Sequence, residues 1–201
     1  FKPDDYPAWS KNEDRLKQMY NLARVNFTLS SNYRNNKKLF HKINVEAYYY
    51  FDKFKTSETN ANISFDIHKN FNVSDVLDYQ ELGLSGKASY FQNIDSLVTT
   101  NDVLVSTTPY FKGNYGIFNF YLGLNFNFLN TDKTNFYFYP IIGVNINLIP
   151  KVLTVFVGFD GTVQKNSFLR LSDLNPWVGS TIPLKWDHSF KAYGGIRGNI
   201  A

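Results

Sequence analysis

"NFYLGLNFNF", Asn119–Phe128, alternates almost without error. Asn119, Tyr121, Gly123, Asn125 and Asn127 fall on one side, and Phe120, Leu122, Leu124, Phe126 and Phe128 on the other, with Phe118 extending the apolar row. A period of two is that of a β-strand, whose successive side chains point to opposite faces. One face of this strand is wholly apolar, and the other is polar yet carries no charge. A soluble sandwich buries its apolar side against protein, whereas a membrane barrel turns it outward into lipid. The fold therefore rests on which face meets water.

The same rhythm runs outward in both directions, giving about nine alternating segments between turn signals. Ala23 to Tyr33 sets Ala23, Val25, Phe27 and Leu29 against Arg24, Asn26, Thr28 and Ser30. Phe40 to Phe54 sets Ile43, Val45, Ala47, Tyr49 and Phe51 against Lys42, Asn44, Glu46, Tyr48, Tyr50 and Asp52. Asn62–His68, Leu82–Phe91, Val103–Lys112, Phe136–Leu148, Val152–Val163 and Phe190–Ile200 continue the series, and Pro140 predicts a bulge in its strand. Turns at "NNKK", Gly113-Asn114 and Pro150-Lys151 fall at one end, and connections at 55–61, 92–102, 130–134 and 164–187 at the other. Short turns at one end and longer loops at the other suit a membrane barrel, with the 69–80 connection as the exception. Residues 1–22 form a polar lead with room for a short helix around Arg15–Leu22, and 23–201 form one barrel region.

Composition narrows the class. Charged residues make up 19% of the chain and aromatics 18%, a low charge and a high aromatic load against the roughly 25% charge of soluble domains. Such a surface does not have to be solvated everywhere. The net charge of +4 is spread without runs, which gives nucleic acid no footprint. With no cysteine there is neither a disulfide framework nor a thiolate metal site. No stretch of about 18 apolar residues is present, which excludes a transmembrane helix. Several segments do reach the roughly 9 to 11 residues that a membrane strand needs.

Water-facing positions of soluble sheets normally carry charge. Here the polar faces are dominated by Asn, Ser, Thr, Gly and Tyr, which suits a hydrated lumen. The expected fold is therefore an all-β, antiparallel, up-and-down transmembrane β-barrel, or a contiguous portion of one, with about nine or ten strands visible. The odd strand count, and an alternation that runs into the final "GNIA", make a portion the expectation. Lumen-lining candidates are Lys42, Glu46, Asp52, Asp66, His68, Asn119, Tyr121, Asn125, Asn127, Tyr137, Tyr139, Asn145, Asn147 and Arg197. Lipid-facing candidates are Phe118, Phe120, Leu122, Leu124, Phe126, Phe128, Ile142, Val144 and Ile146. The Tyr clusters at 48–51 and 136–140 are expected in an aromatic girdle at the headgroups.

From about Leu82 to Ala201 the chain resembles the TonB-dependent receptor-like outer-membrane proteins of Bacteroidota. The resemblance is carried by "FYFYPIIGVNINLIP", a Gly-rich strand after it, the triplet Asn175-Pro176-Trp177 and the "YGGIRG" strand Tyr193–Gly198. It implies a bacterial outer-membrane barrel with more strands than this chain shows. Neither a plug domain nor a TonB-contact segment is recognisable in the sequence.

Chemistry has few candidates. His41, His68 and His188 lack metal-ligand spacing, so no metal or other cofactor is expected. Asp66 and His68 share a strand face and could act as base and acid, but no nucleophile motif accompanies them, and no enzyme is expected. The expected function is solute uptake or passage, with outer-membrane lipid and an unidentified solute as partners. A non-transporting barrel that engages other envelope proteins and a soluble ligand-binding β-domain are the alternatives.

Overall fold

The computed structural model describes residues 18–31, 38–71, 76–95, 98–178, 182 and 184–198. Nine antiparallel strands form one sheet in sequence order: β1 (Tyr20–Ser30), β2 (Phe40–Asp52), β3 (Ser57–Phe71), β4 (Tyr79–Ile94), β5 (Thr99–Tyr115), β6 (Phe118–Asn130), β7 (Thr134–Ile149), β8 (Leu153–Lys165) and β9 (Trp186–Gly198). Each strand pairs with the next, and β1 and β9 do not pair with each other. The sheet is open. Among the described residues one short helix, α1 (Phe168–Leu174), lies between β8 and β9. Among the described residues no helix is long and apolar enough to cross a membrane, a statement that does not bear on crossing by strands.

Register keeps like with like. Val25, Phe27 and Leu29 of β1 oppose Ala47, Val45 and Ile43 of β2, and Asn119, Tyr121 and Asn125 of β6 oppose Asn145, Gly143 and Tyr139 of β7. A slip of one residue would exchange the faces, so the alternation itself fixes the pairing. Among the described residues no second sheet covers the apolar face: Leu122 is 46% exposed and Leu124 43%. The polar face is concave, because side chains on strands well apart in the sheet meet across it, as Asp102 of β5 and Lys165 of β8 do at 2.5 Å. The core is therefore on the polar side, and Asn127 there is only 2% exposed.

Several expectations change. The strands are longer than the alternation marked: β3 covers Ser57–Phe71, not only Asn62–His68, and β4 covers Tyr79–Ile94. The connections at 55–61 and 92–102 shrink to 53–56 and 95–98, so a general contrast between short-loop and long-loop ends disappears. Only the 166–185 connection stands out at its end. Tyr20–Leu22 are strand rather than helix, and Arg15–Lys17 lie outside the described residues. Pro140 sits within a continuous β7, in register with Leu124 of β6, and the ladder from β7 to β8 begins only at Ile142. A residue without an N–H is placed where one flank of the strand has no recorded partner. The register shift between β7 and β8 lies instead at Asn147/Ile149.

Gly113-Asn114 is no turn. Both residues belong to β5, where Gly113 opposes Gln80 on one side and Phe120 on the other. A Cβ on Gly113 would lie 2.4 Å from the Phe120 ring, so the glycine admits a close approach. The reversal comes at Gly116-Ile117, where Gly116 has φ +55, the positive value that two-residue hairpins need. Two glycines close together in sequence thus serve different physics. Gly116→Asn is expected to be nearly neutral and Gly116→Val to cost about 1–2 kcal/mol, because Asn tolerates the left-handed region and β-branched residues do not. At Gly113 both substitutions should destabilise, by about 1–3 kcal/mol, through overpacking. Denaturation midpoints of the four variants check this contrast.

Candidate functional site

The concave face is a set of polar clusters separated by cavities. The first lies towards the end of the sheet that carries the Gly116 turn. Asp66 and His68 are neighbours on one face of β3, and His68 Nδ1 lies 2.7 Å from Asp66 Oδ1. Tyr110 of β5 donates to Asp66 at 3.1 Å, and Lys112 of β5 donates to Glu81 of β4 at 2.8 Å. His68 Nε2 lies 3.8 Å from Glu81, and Tyr79 donates to Glu81 and to Asn70. Phe40 stacks on the His68 ring at 4.3 Å, and Tyr121 on Tyr110 at 5.4 Å. The acids thus each have a hydrogen-bonded partner, and Asp66 and His68 are held within a charge network. Among the described residues no group of His, Asp and Glu could hold a metal ion.

The second cluster lies beneath α1. Lys165 donates to Asp102 Oδ2, and Trp186 Nε1 donates to the same oxygen at 3.0 Å. Asn93, its amide oriented by its partners, accepts from Lys165 Nζ at 2.7 Å and donates to Glu58 Oε2 at 2.7 Å. Glu58 also accepts from Tyr48 at 2.7 Å and from the backbone N–H of Phe168 at 2.7 Å. The Lys165 ammonium lies 5.1 Å above the Phe91 ring and 5.8 Å from that of Trp186. Strands β2 to β5, β8 and β9 are joined by this one network, and its lysine side chain is 1% exposed.

The helix is built for its seat. Ser167 caps it by accepting from Arg170 N at 3.2 Å, and the helix ends at Asn175, extended at φ −144 and ψ 101 before Pro176, as the restriction by proline predicts. Phe168 and Leu169 pack with Tyr48, Tyr50 and Val178, while Tyr50 bonds to Ser172 at 2.6 Å. A segment between β8 and β9 thus rests on the inner side of β2. A second apolar group, Leu104, Leu129, Tyr139 and Val163, fills the interior farther along the sheet.

The lumen candidates separate by role. Lys42 lines a cavity of about 300 Å³ with Asn44 and Asp66, and Glu46 lies 3.5 Å from Arg24. Asp52 accepts from the N–H groups of Phe54 and Thr56, both at 2.8 Å, so it closes the β2–β3 turn. Asn119, Tyr121 and Asn145 line a cavity of about 380 Å³, and Asn125 and Asn127 line a central one of about 720 Å³. Tyr137 packs on His188 at 4.2 Å, Tyr139 is buried, Asn147 accepts from Thr154 at 2.9 Å, and Arg197 lies over Phe156 at 5.6 Å. On the outer face Phe118, Leu122, Leu124, Phe128 and Ile142 are exposed. Phe120, Phe126, Val144 and Ile146 are half-buried by neighbours on that face, Phe120 against Phe111 and Phe126 against Phe138.

The girdle expectation needs correction. Tyr48, Tyr50 and Tyr139 are buried on the concave side, Tyr137 packs there too, and only Tyr49 of these tyrosines is exposed on the outer face. Their hydroxyls find interior partners, such as Glu58 and Ser172, and burying a phenol favours that arrangement. Glu58, Glu81, Asp102, Lys112, Lys165 and Trp186 were not singled out in the sequence. Glu58 and Asp102 lie in stretches that read as connections, and Lys165 and Trp186 lie in the 164–187 stretch.

No protein-family model matches the chain, and no curated protein matches it. Among solved structures the chain is similar to the alcaligin outer-membrane receptor FauA of Bordetella pertussis, with 16% identity and a TM-score of 0.43. The match covers 73% of this chain and 29% of that receptor, so the chain spans less than a third of the receptor's length. A Bacteroidota origin gains no support from this comparison.

Lys165 offers a direct measure of the interior. Asp102→Ala leaves a buried ammonium without its anion and is expected to destabilise by about 3–5 kcal/mol. The paired replacement Asp102→Leu with Lys165→Met should recover most of that loss. Equilibrium unfolding of the single and paired variants measures both effects.

Proposed function

We propose that this chain forms part of the wall of a bacterial outer-membrane β-barrel that serves solute uptake or passage, with its concave polar face along the route and no chemistry performed on the solute. The observation that carries this reading is the inverted polarity: the apolar face is open to the surroundings and the Asn-, Tyr- and charge-bearing face holds the buried residues. In water that arrangement is costly, since every exposed Å² of apolar surface forgoes about 25 cal/mol. In lipid it is the favourable one. The free edges of β1 and β9 belong to the same reading, because an unpaired strand edge in hydrocarbon leaves N–H and C=O groups unsatisfied, so both edges would take further strands as partners. The resemblance in Leu82–Ala201 makes TonB-dependent receptor-like uptake the specific form proposed, with outer-membrane lipid, a solute and other envelope proteins as partners.

A second reading has one observation in its favour. Helix α1 and the Asp102–Lys165 contact occupy the concave side near the 166–185 connection, which suits a sealed, non-transporting barrel that engages envelope partners. A soluble ligand-binding domain would leave the outer phenylalanines without a solvent.

The natural chain has no cysteine, so single-cysteine variants report cleanly. With the protein in lipid vesicles, Leu122→Cys and Leu124→Cys should react with a membrane-soluble maleimide and resist a charged one. A cysteine at Ser106, on the concave face, should show the reverse. A chain that stays monomeric in plain buffer and labels equally at all three positions would sink the membrane reading. Stepwise conductance in planar bilayers is expected for passage, and a folded but silent barrel favours the second reading.

A further inference from the structure

We propose that the pocket under α1 is a binding site for an oxyanion, the carboxylate or phosphate group of a solute. Its walls come from β1 to β5, β8, β9 and the helix, and its volume is about 330 Å³. Three cationic side chains line it from three separate elements: Arg24 of β1, Lys87 of β4 and Arg170 of α1. Lys165 lines it too but is engaged by Asp102, and Asp173 is the one acid among the described lining residues. Arg24 lies 3.5 Å from Glu46, whereas Lys87 and Arg170 have no ion-pair partner among the described residues. Like charges gathered on one concave wall repel one another, and a bound anion relieves that repulsion.

A second observation points to the same place. Ser89, 2% exposed, lines this pocket, and its hydroxyl has no hydrogen-bond partner among the described residues. Asn62 lines it as well; its Nδ2 donates to Asn60 while its Oδ1 is buried without a donor among the described residues. Buried polar groups are normally satisfied, so an orphan hydroxyl in the same pocket as these cations is matched by the acceptor oxygens of an anion. The orphan Asn62 oxygen would take a hydroxyl or N–H of the same solute. Lys87, Leu104, Val163 and Gln164 line both this pocket and the central cavity of about 720 Å³, which gives a solute held by its charged end room for the remainder.

The site rests on the concave face being a solute route, and its test is separable from that reading. Trp186 lines the pocket and reports on it by fluorescence. The protein in detergent micelles at low ionic strength is titrated with inorganic phosphate and, separately, with citrate. A saturable change with at least one of them is expected, and the tighter of the two identifies the preferred group. Lys87→Gln and Arg170→Gln should each weaken it by about tenfold, the scale of one charge-assisted hydrogen bond. Lys133→Gln, in the β6–β7 connection, should leave it unchanged. Lys87 and Arg170 are both exposed, so their replacement is expected to leave the fold intact, which circular dichroism checks. The absence of a saturable response, or one that Lys87→Gln and Arg170→Gln leave unaltered, overturns the site even if cysteine labelling supports a membrane barrel. Binding lost on both substitutions in a chain that proves soluble upholds the site and overturns the route.

Discussion

Lys165 carries a charge into a place from which water is nearly excluded, and much of the interior is organised to make that tolerable. Its ammonium needs an anion, which Asp102 provides, and acceptors for its remaining protons, one of which is Asn93. Asn93 is in turn held by Glu58, and Glu58 by Tyr48 and the first backbone N–H of α1. Each link is needed because a buried ion left incompletely paired costs several kcal/mol. The helix is thus tied to β3 by a carboxylate, and its apolar side settles on the tyrosines of β2.

Such a network can exist only on an enclosed face, and what encloses it is the curvature of one sheet. The apolar rows of the strands lie on the convex surface, and many of their side chains are exposed. Stability of the concave side therefore rests on hydrogen bonds, ring stacking and two small apolar clusters, a distribution suited to a molecule whose outer surface is stabilised by its solvent.

How much of this was legible in the sequence depended on the range of the interaction. The alternation in Asn119–Phe128 is local, and it separated the two faces of β6; β1 and β2 followed by the same rule. Glu58 and Asp102 were missed because polar residues near strand ends resemble loops until their partners are known. Their partners are remote: Asp102 and Lys165 are 63 positions apart, and Tyr50 and Ser172 are 122. No local period records such pairs. The helix had a fainter signal, a capping Ser167 ahead of Phe168, Leu169 and Leu171, which a long polar connection disguised. Tyrosine was ambiguous in itself, since a ring with a hydroxyl suits both a headgroup layer and a hydrogen-bonded interior.

The sequential strand order also has a kinetic side. Every ladder joins neighbours in the chain, and most are closed by connections of a few residues, so the hairpins can form early at small entropic cost. The contacts that bring α1 to β2 and Lys165 to Asp102 can form only after several of those hairpins have assembled and curled. The ladders can therefore form before the contacts that fill the interior.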